Sequence, residues 1–360
     1  MRTTGLLLLF ACFGIALNYN MASAQINALA SGSNSSFFID KQHELWAFGN
    51  NSYGQLGYKK FSSQYQPIRV MEQVSAVASG EAHSLFLKED ATLWVVGKNE
   101  FGQLGTGTTD NEKLAKQIAT DVLAIAAGKD FSFYVKNDHS LWAMGNNTFG
   151  QLGNGTLDKQ TSPVKIMDDV QAVDAAAAHT LILKTDGTLW ACGNNFSYQL
   201  GDGTDKHKST PLQIATNVAQ ISAGNQFSLF VKNDGTLWGT GFDGAGQMGD
   251  NSIYTVHKPK KILENVKSAV AGFGHSVALK KDGTLWVAGI NDYGQLGMGN
   301  NTNSGTFEKV LENVESSSAG NYHTLVAMKD GTIWSTGSNG SGQLGIGQGK
   351  SDVNSFQKIK

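Results

Sequence analysis

Arginine, proline and cysteine are scarce in this 360-residue chain. Arg2 and Arg69 are the only arginines, which argues against chemistry that needs an arginine clamp on carboxylate or phosphate. Four prolines beside 43 glycines exclude a collagen-like or proline-rich chain. Charged residues make up only 16%, and the formal net charge is −2. This charge balance gives no electrostatic reason to expect nucleic-acid binding or attraction to an anionic membrane.

The N-terminus predicts a secretory signal over residues 1–24. Arg2 supplies the positive start, an apolar stretch runs from Leu6 to about Leu17, and Ala22-Ser23-Ala24 is a small-residue cleavage site. The stretch is too short to span a bilayer. Acylation of Cys12 is the alternative, but Phe10 is a poor fit to such a site. We therefore expect cleavage after Ala24 and a soluble product that is secreted or periplasmic.

Cys192 is the one cysteine left after this cleavage, so an internal disulfide is excluded. A domain of this size buries enough surface to be stable without one. The position of Cys192 holds Phe, Met, Val, Thr or Ala at the same phase elsewhere in the chain, which indicates a packing position and not a reactive thiol.

Tryptophan recurs with a fixed period. Each tryptophan lies 48 residues after the previous one, and the full set is Trp46, Trp94, Trp142, Trp190, Trp238, Trp286 and Trp334. The 336 residues that follow the predicted signal equal seven such periods. We therefore divide the chain into units at 25–72, 73–120, 121–168, 169–216, 217–264, 265–312 and 313–360.

Inside a unit the local signals are those of β-structure. Short apolar runs such as Thr180–Lys184 are followed by tight turns, and four units carry an Asp-Gly pair at the turn. A Leu-Trp strand then returns antiparallel, which gives about four strands per unit with no competing helical periodicity. Seven four-stranded units predict an all-β fold, a single closed seven-bladed β-propeller. At the ring seam, we expect Ser355–Ile359 to form a strand packed near the blade that contains Ile26–Ala30.

The repeated phrases resemble a known family. Gly-x-x-His-Ser/Thr-Leu, Asp-Gly-Thr-Leu-Trp and Gly-x-Asn-x-x-Gly-Gln-Leu-Gly are similar to the repeat of the regulator of chromosome condensation, in all seven units. That family includes a nucleotide-exchange factor for a nuclear GTPase, a plant UV-B photoreceptor and secreted bacterial inhibitors of β-lactamase. The resemblance implies the propeller fold, whereas one fold carries several functions. In compartment and layout the chain is most similar to the secreted bacterial members.

The resemblance also implies a binding surface at the two residues between the glycine and the histidine of each unit. These pairs vary while their flanks repeat, as expected of loop tips on a rigid scaffold. From them we predict a partner-binding site of Glu81, Lys129, Asp130, Asn225, Gln226, Phe273 and Tyr322. We expect the glycine-rich loops, with Tyr53, Phe101, Phe149 and Tyr293, to lie on the opposite rim.

The recurring histidines and tryptophans have structural interpretations. His83, His179, His275 and His323 share a position that is phenylalanine in two other units, so we expect them to pack in the interior and predict no metal site. The tryptophans are expected to pack between blades, although a sugar-binding row is the alternative. Asp202 and Asp205 lack the full spacing of a calcium loop.

A binding protein is the function that these features favour. Sialidases, which are also propellers, need three arginines on the substrate carboxylate, and none of the common catalytic sequence signatures occurs. We therefore expect a non-enzymatic, monomeric protein-interaction scaffold without a cofactor. Its partner would be an exported or cell-surface protein, with no nucleic acid and no membrane span. A carbohydrate-binding propeller is the alternative from another class, and an inhibitor of a secreted enzyme is a third.

Overall fold

The computed structural model describes residues 26–348 and 351–359, and within these ranges every regular element is a β-strand. The predicted signal segment and Cys12 lie outside the described residues. The 28 strands form seven antiparallel sheets of four, in sequence order within each sheet. Each sheet falls within one 48-residue unit. The predicted all-β, seven-bladed propeller is therefore confirmed.

The first strand of each blade lies nearest the axis of the ring. These strands are rich in small residues and are β1 (Ile26–Ser31), β5 (Val74–Ser79), β9 (Val122–Ala127), β13 (Val170–Ala175), β17 (Val218–Ala223), β21 (Val266–Ala271) and β25 (Val314–Ala319). Each contacts the first strand of the next blade, and β25 contacts β1, so the ring is closed. Small side chains suit this crowded position.

The second strands are almost completely buried, because each is covered by its own sheet neighbours and by the next blade. They are β2 (Ser35–Asp40), β6 (His83–Lys88), β10 (Phe131–Lys136), β14 (His179–Lys184), β18 (Phe227–Lys232), β22 (His275–Lys280) and β26 (His323–Met328). Phe37 and Phe86 meet edge to face across the first and second blades, with ring centroids 6.2 Å apart. The core therefore lies between adjacent blades.

The third strands carry the tryptophans and the fourth strands form the outer edge. The third strands are β3 (Leu45–Gly49), β7 (Leu93–Gly97), β11 (Leu141–Gly145), β15 (Leu189–Gly193), β19 (Leu237–Gly241), β23 (Leu285–Gly289) and β27 (Ile333–Gly337). The fourth strands are β4 (Gln64–Met71), β8 (Glu112–Ala119), β12 (Gln160–Met167), β16 (Lys208–Ala215), β20 (Val256–Leu263), β24 (Ser304–Leu311) and β28 (Val353–Lys358).

Among the described residues, the seam between the seventh and first blades is closed by side-chain and backbone contacts and not by an exchanged strand. The Ser318 hydroxyl donates to the Ser31 hydroxyl at 2.9 Å, and the backbone N–H of Gly347 donates to the Tyr65 carbonyl at 2.9 Å. Ile359 packs in one apolar cluster with Leu29 of the first strand. The expected terminal strand is thus present as Val353–Lys358, two residues earlier at its start than predicted, and Ile359 after it packs with the first blade.

Candidate functional site

Two sets of loops share one face of the ring. The tips join the first and second strands of each blade, and the glycine loops join the third and fourth strands. Within each blade, a backbone hydrogen bond connects the tip to the glycine loop. For example, the N–H of Asn50 donates to the Asn34 carbonyl at 2.8 Å. The expectation that they occupy opposite rims is wrong. Because the second and third strands are antiparallel, the chain returns to the face from which it left. We call this surface the tip face.

The tips surround a cavity of about 230 Å³ at the axis of the ring. The first residue of every predicted pair lines it, namely Ser33, Glu81, Lys129, Ala177, Asn225, Phe273 and Asn321. Backbone hydrogen bonds link neighbouring tips from the seventh blade through the first to the fourth; for example, the N–H of Lys129 donates to the Ala176 carbonyl at 2.8 Å. Among the described residues, no such bond links the tips of the fourth to seventh blades.

The polar members of the predicted site lie mainly on the second and third blades. Glu81 and Lys129 are exposed, and their charged groups lie 3.5 Å apart. Asp130 is different: it is only 7% exposed and lies 3.8 Å from the Lys98 ammonium. Burial raises the pKa of Asp130, with Lys98 acting in the opposite direction. The structure therefore places Asp130 beneath the surface and not at an exposed tip, and Gln103 of the second blade's glycine loop donates to its carboxylate at 3.5 Å.

The aromatic members of the predicted site meet on the sixth and seventh blades. The ring of Tyr322 lies 5.1 Å from that of Phe273 and 5.1 Å from that of Tyr293, measured between centroids. Phe273 is 36% and Tyr293 is 40% exposed. We call these three residues the aromatic cluster. The expectation that Tyr293 lies on the opposite rim is wrong. The antiparallel order of the strands already implies that its loop lies on the tip face. Asn225 is half-buried and Gln226 is exposed on the neighbouring fifth blade.

The buried histidines connect blades. In each of the four units, Nε2 lies within hydrogen-bond distance of a Ser or Thr hydroxyl on the next blade, and the pairs are His83–Ser132, His179–Ser228, His275–Thr324 and His323–Ser36. Each hydroxyl also donates to a glutamine carbonyl of the histidine's own blade. Burial lowers the pKa to about 3 for His83, His179 and His323 and to about 4 for His275. The histidines are therefore neutral structural residues at pH 7.

The tryptophans are half-buried, and in the third to seventh blades each packs against the apolar cluster of the preceding blade, as expected of packing between blades. In five blades the indole N–H donates to a threonine hydroxyl of the preceding hairpin turn, in the third blade to Ser140 and in the first to Asp40. The rings of Trp142 and Tyr134 stack with centroids 6.1 Å apart. Open grooves run beside Trp142 and Trp238 on the outside of the ring.

The remaining thiol and the possible metal ligands show no arrangement suited to chemistry within the described residues. Cys192 is completely buried, and burial raises the pKa of its thiol to about 12, so the thiolate form is disfavoured. Within residues 26–348 and 351–359, no three His, Cys, Asp or Glu side chains come together as a metal site would require. In that same part of the chain, no helix has the length and apolar character needed to cross a membrane.

Sequence comparison identifies the family. The model of the RCC1-like domain matches residues 16–261, and models of the regulator of chromosome condensation (RCC1) repeat match residues 266–295, 314–343 and 282–327. The chain belongs to the RCC1-like propeller family. No curated protein sequence matches it.

Solved propellers support the same architecture. Human WBSCR16 is 23% identical with a TM-score of 0.81, covering 88% of this chain and 94% of its own. Prp20p from Saccharomyces cerevisiae, described together with its binding to Gsp1p and histones, is 22% identical with a TM-score of 0.79, covering 88% and 85%. The complex of Kap60 with yeast RCC1 (Prp20) gives 21% identity and a TM-score of 0.80, covering 100% and 89%. At these identities the likeness shows the fold alone.

Proposed function

We propose that this protein is an exported, monomeric interaction scaffold that binds a partner protein through the tip face. The aromatic cluster is the single observation that carries the proposal. Three contacting rings at the surface of a rigid β-scaffold provide the kind of anchor that dominates binding energy in protein interfaces. Polar residues such as Asn225 and Gln226 lie nearby and would form the rim.

The rigidity of the tips supports this role. Each tip emerges between two strands of a closed ring, and the tips of the seventh, first, second, third and fourth blades are linked by backbone hydrogen bonds. Of the aromatic cluster, Tyr322 lies on a tip of this linked set, whereas Phe273 is held only by the strands that flank its tip. Residues on ordered backbone lose less conformational freedom on binding, which favours affinity. The structurally similar Prp20p binds Gsp1p and histones and has been solved in a complex with Kap60. We extend only the use of the scaffold for protein binding to this chain.

Export and the absence of catalysis are parts of the same proposal. The signal-like sequence of residues 1–24 supports a secreted or periplasmic location and therefore an exported or cell-surface partner. No cofactor is needed for such a role. Mass determination of the protein purified from the producing organism tests the location: a chain that begins at Gln25 supports export, and a chain that keeps residues 1–24 argues against it.

The experiment that tests binding is affinity capture from the secreted fraction of the producing organism. We expect Phe273→Ala and Tyr322→Ala each to weaken capture of the true partner by at least tenfold, equal to about 1.4 kcal/mol. Phe196→Ala is the matched control, because Phe196 is 68% exposed in the glycine loop of the fourth blade, outside the aromatic cluster. Capture that is unchanged by the first two substitutions would contradict the proposal.

Carbohydrate binding is the second candidate, and the half-exposed tryptophans in the outer grooves favour it. The Trp142 indole N–H already donates to Ser140 and its ring stacks on Tyr134, so a sugar would have only the remaining ring surface. A glycan array with Trp142→Phe separates the candidates. Glycan binding that this substitution alters, with Phe273→Ala unchanged, would place the outer groove ahead of the tip face.

A further inference from the structure

Two repeat positions differ sharply between the two halves of the tip face. In the second and third blades these positions hold Lys98 and Asp130, whose charged groups lie 3.8 Å apart, and Lys98 also pairs with Glu100 at 3.1 Å. Four units later the same positions hold Ile290 and Tyr322. An internally neutralised ion pair on one side of the ring is thus replaced by an apolar and an aromatic side chain on the other.

Acidic residues outnumber basic ones around the aromatic cluster. The tips and glycine loops of the fifth, sixth and seventh blades contain four aspartates and one basic residue, Lys350, which lies outside the described residues. Asp243 is buried, Asp250 pairs with Lys260, and Asp352 accepts a hydrogen bond from the N–H of Asn339.

Asp292 is the remaining aspartate and is exposed beside Tyr293. None of the ion pairs within the described residues includes it. Its charge reaches the cluster, since it contributes to the raised pKa of Tyr322 after burial and Tyr293. The aromatic cluster therefore sits beside a carboxylate that forms no ion pair with any described cation.

We propose that the aromatic cluster and Asp292 together bind an arginine side chain presented by the partner protein. The proposal rests on the proposed function and names the chemistry of its partner. A guanidinium stacks on aromatic faces, is weakly hydrated and compensates a carboxylate, whereas the compact lysine ammonium retains its water more strongly. An acidic segment would meet Asp292, which no cation of the described residues pairs with, so charge complementarity favours a basic partner.

A pair of short peptides tests this chemistry directly. The peptide acetyl-Gly-Gly-Arg-Gly-Gly-amide is compared with the same peptide carrying citrulline, which keeps the shape and removes the charge. Both are titrated at millimolar concentration into the full chain labelled at Phe and Tyr ring carbons, and ring resonances are followed by NMR. We expect the arginine peptide to shift Phe273, Tyr293 and Tyr322 and to bind at least about fivefold more tightly than the citrulline peptide.

Variants of the tip face provide the controls. Asp292→Asn should weaken arginine binding about two- to threefold and reduce its salt dependence. The double variant Ile290→Lys/Tyr322→Asp rebuilds the polar pair that the second and third blades already accommodate, so it should fold and lose the binding. Phe196→Ser, away from the cluster, should bind as the unchanged protein does.

The outcomes separate this inference from the proposed function. Equal binding of both peptides, shifts confined to other rings, or no shift with the arginine peptide would each overturn the assignment of arginine. The proposed function would still stand if a captured partner is lost with Phe273→Ala while excess arginine peptide fails to displace it. If no captured protein depends on the cluster, the proposed function itself fails.

Discussion

At the scale of single residues, seven repeats supply an internal control for each position. The asparagine of the glycine loop is buried in six blades, where its Oδ1 accepts a backbone N–H or its Nδ2 donates to loop oxygens, as Asn195 Nδ2 does to Asp202 at 2.9 Å. In the fifth blade this residue is Asp243. Its Oδ1 still accepts the N–H of Met248 at 2.8 Å, but Oδ2 is buried without a donor. At this repeat position, the fifth blade therefore carries a buried carboxylate oxygen that has no hydrogen-bond donor.

Asp243→Asn should stabilise the protein, and more so at high pH. Burial, followed by Asp250, raises the pKa of Asp243 to about 7, well above its ordinary value. A raised folded-state pKa means that the stabilisation is complete below about pH 4 and is lost as pH rises through 7. The amide supplies the missing donor to Asp250. We expect a gain of about 1–3 kcal/mol at pH 8 and a much smaller gain at pH 5, measured by urea unfolding.

Asn291→Asp is the reverse control in the sixth blade. Asn291 Nδ2 donates to the carbonyls of Asn300 and Thr302, and a carboxylate would leave both without a donor. This variant should lose stability as pH rises. A gain from Asp243→Asn that is equal at pH 5 and pH 8 would show that the titration of Asp243 does not matter.

The buried histidines give the opposite pH dependence. His83 has a folded-state pKa of about 3 because of burial and, second, Lys98, whereas the unfolded value is near 6.5. A depressed pKa gives stability that is present above pH 6.5 and is lost as pH falls towards 3. His83→Phe should remove this dependence, about 2–3 kcal/mol between pH 7.5 and pH 4.5. The Ser132 hydroxyl keeps its hydrogen bond to the Gln103 carbonyl.

The third blade already shows that phenylalanine fits at this position. Phe131 lies against Gly128 as His83 lies against Gly80. The test is to measure the unfolding free energy of the unchanged protein and of His83→Phe between pH 7.5 and pH 4.5. If the two curves are parallel, protonation of His83 does not limit acid stability.

At the scale of elements, the hairpin turn between the second and third strands requires a left-handed residue. Four blades place glycine there, including Gly187 with φ near 78°, whereas the first three blades place His43, Ala91 and His139 with φ between 59° and 63°. The turn also holds the strand that follows, because Asp186 accepts from Thr188, and Thr188 accepts from the Trp190 indole N–H at 2.9 Å. Sequence and backbone therefore conflict in three blades.

Ala91→Gly should stabilise the second blade, and Gly187→Ala should destabilise the fourth. Alanine in the left-handed region costs on the order of 1 kcal/mol, and glycine relieves it at a smaller entropic cost in the unfolded chain. We expect about +0.5 and −1 kcal/mol respectively, measured by thermal unfolding. Replacement of the exposed Glu89 by Gln, just before the turn, serves as a control for charge. A loss of stability with Ala91→Gly, or a gain with Gly187→Ala, would contradict the strain argument.

The contrast between strands and loops explains how much could be predicted. The 48-residue spacing of tryptophan and the Asp-Gly turns predicted blade number, strand number and the buried histidines, because each depends on local pattern repeated in phase. The burial of Asp130 and the contact of Tyr322 with Tyr293 depend on how one blade's tip meets the previous blade's loop. Such contacts join residues that vary between units, so no repeated pattern reports them.

At the scale of the whole molecule, β28 and the residue after it pack against two blades besides their own. Phe356 packs in a cluster with Val287 and Leu296 of the sixth blade, and Ile359 packs with Leu29 and Phe48 of the first. Both side chains are 9% exposed. Since the chain is not covalently continuous across the seam, these contacts and the Ser36–His323 pair close the ring.

Deletion of residues 353–360 should therefore destabilise the ring by about 3–6 kcal/mol. It removes the outer strand of the seventh blade and re-exposes the apolar surface covered by Phe356 and Ile359, each worth about 1.5–3 kcal/mol. Urea unfolding followed by tryptophan fluorescence measures the loss. Gln357→Ala, an exposed position of the same strand, is the control and should change stability by less than about 0.5 kcal/mol. A truncated protein with the same unfolding midpoint as the full chain would mean that the seam closes without β28, with the inner contacts of β1 and β25 carrying the ring alone.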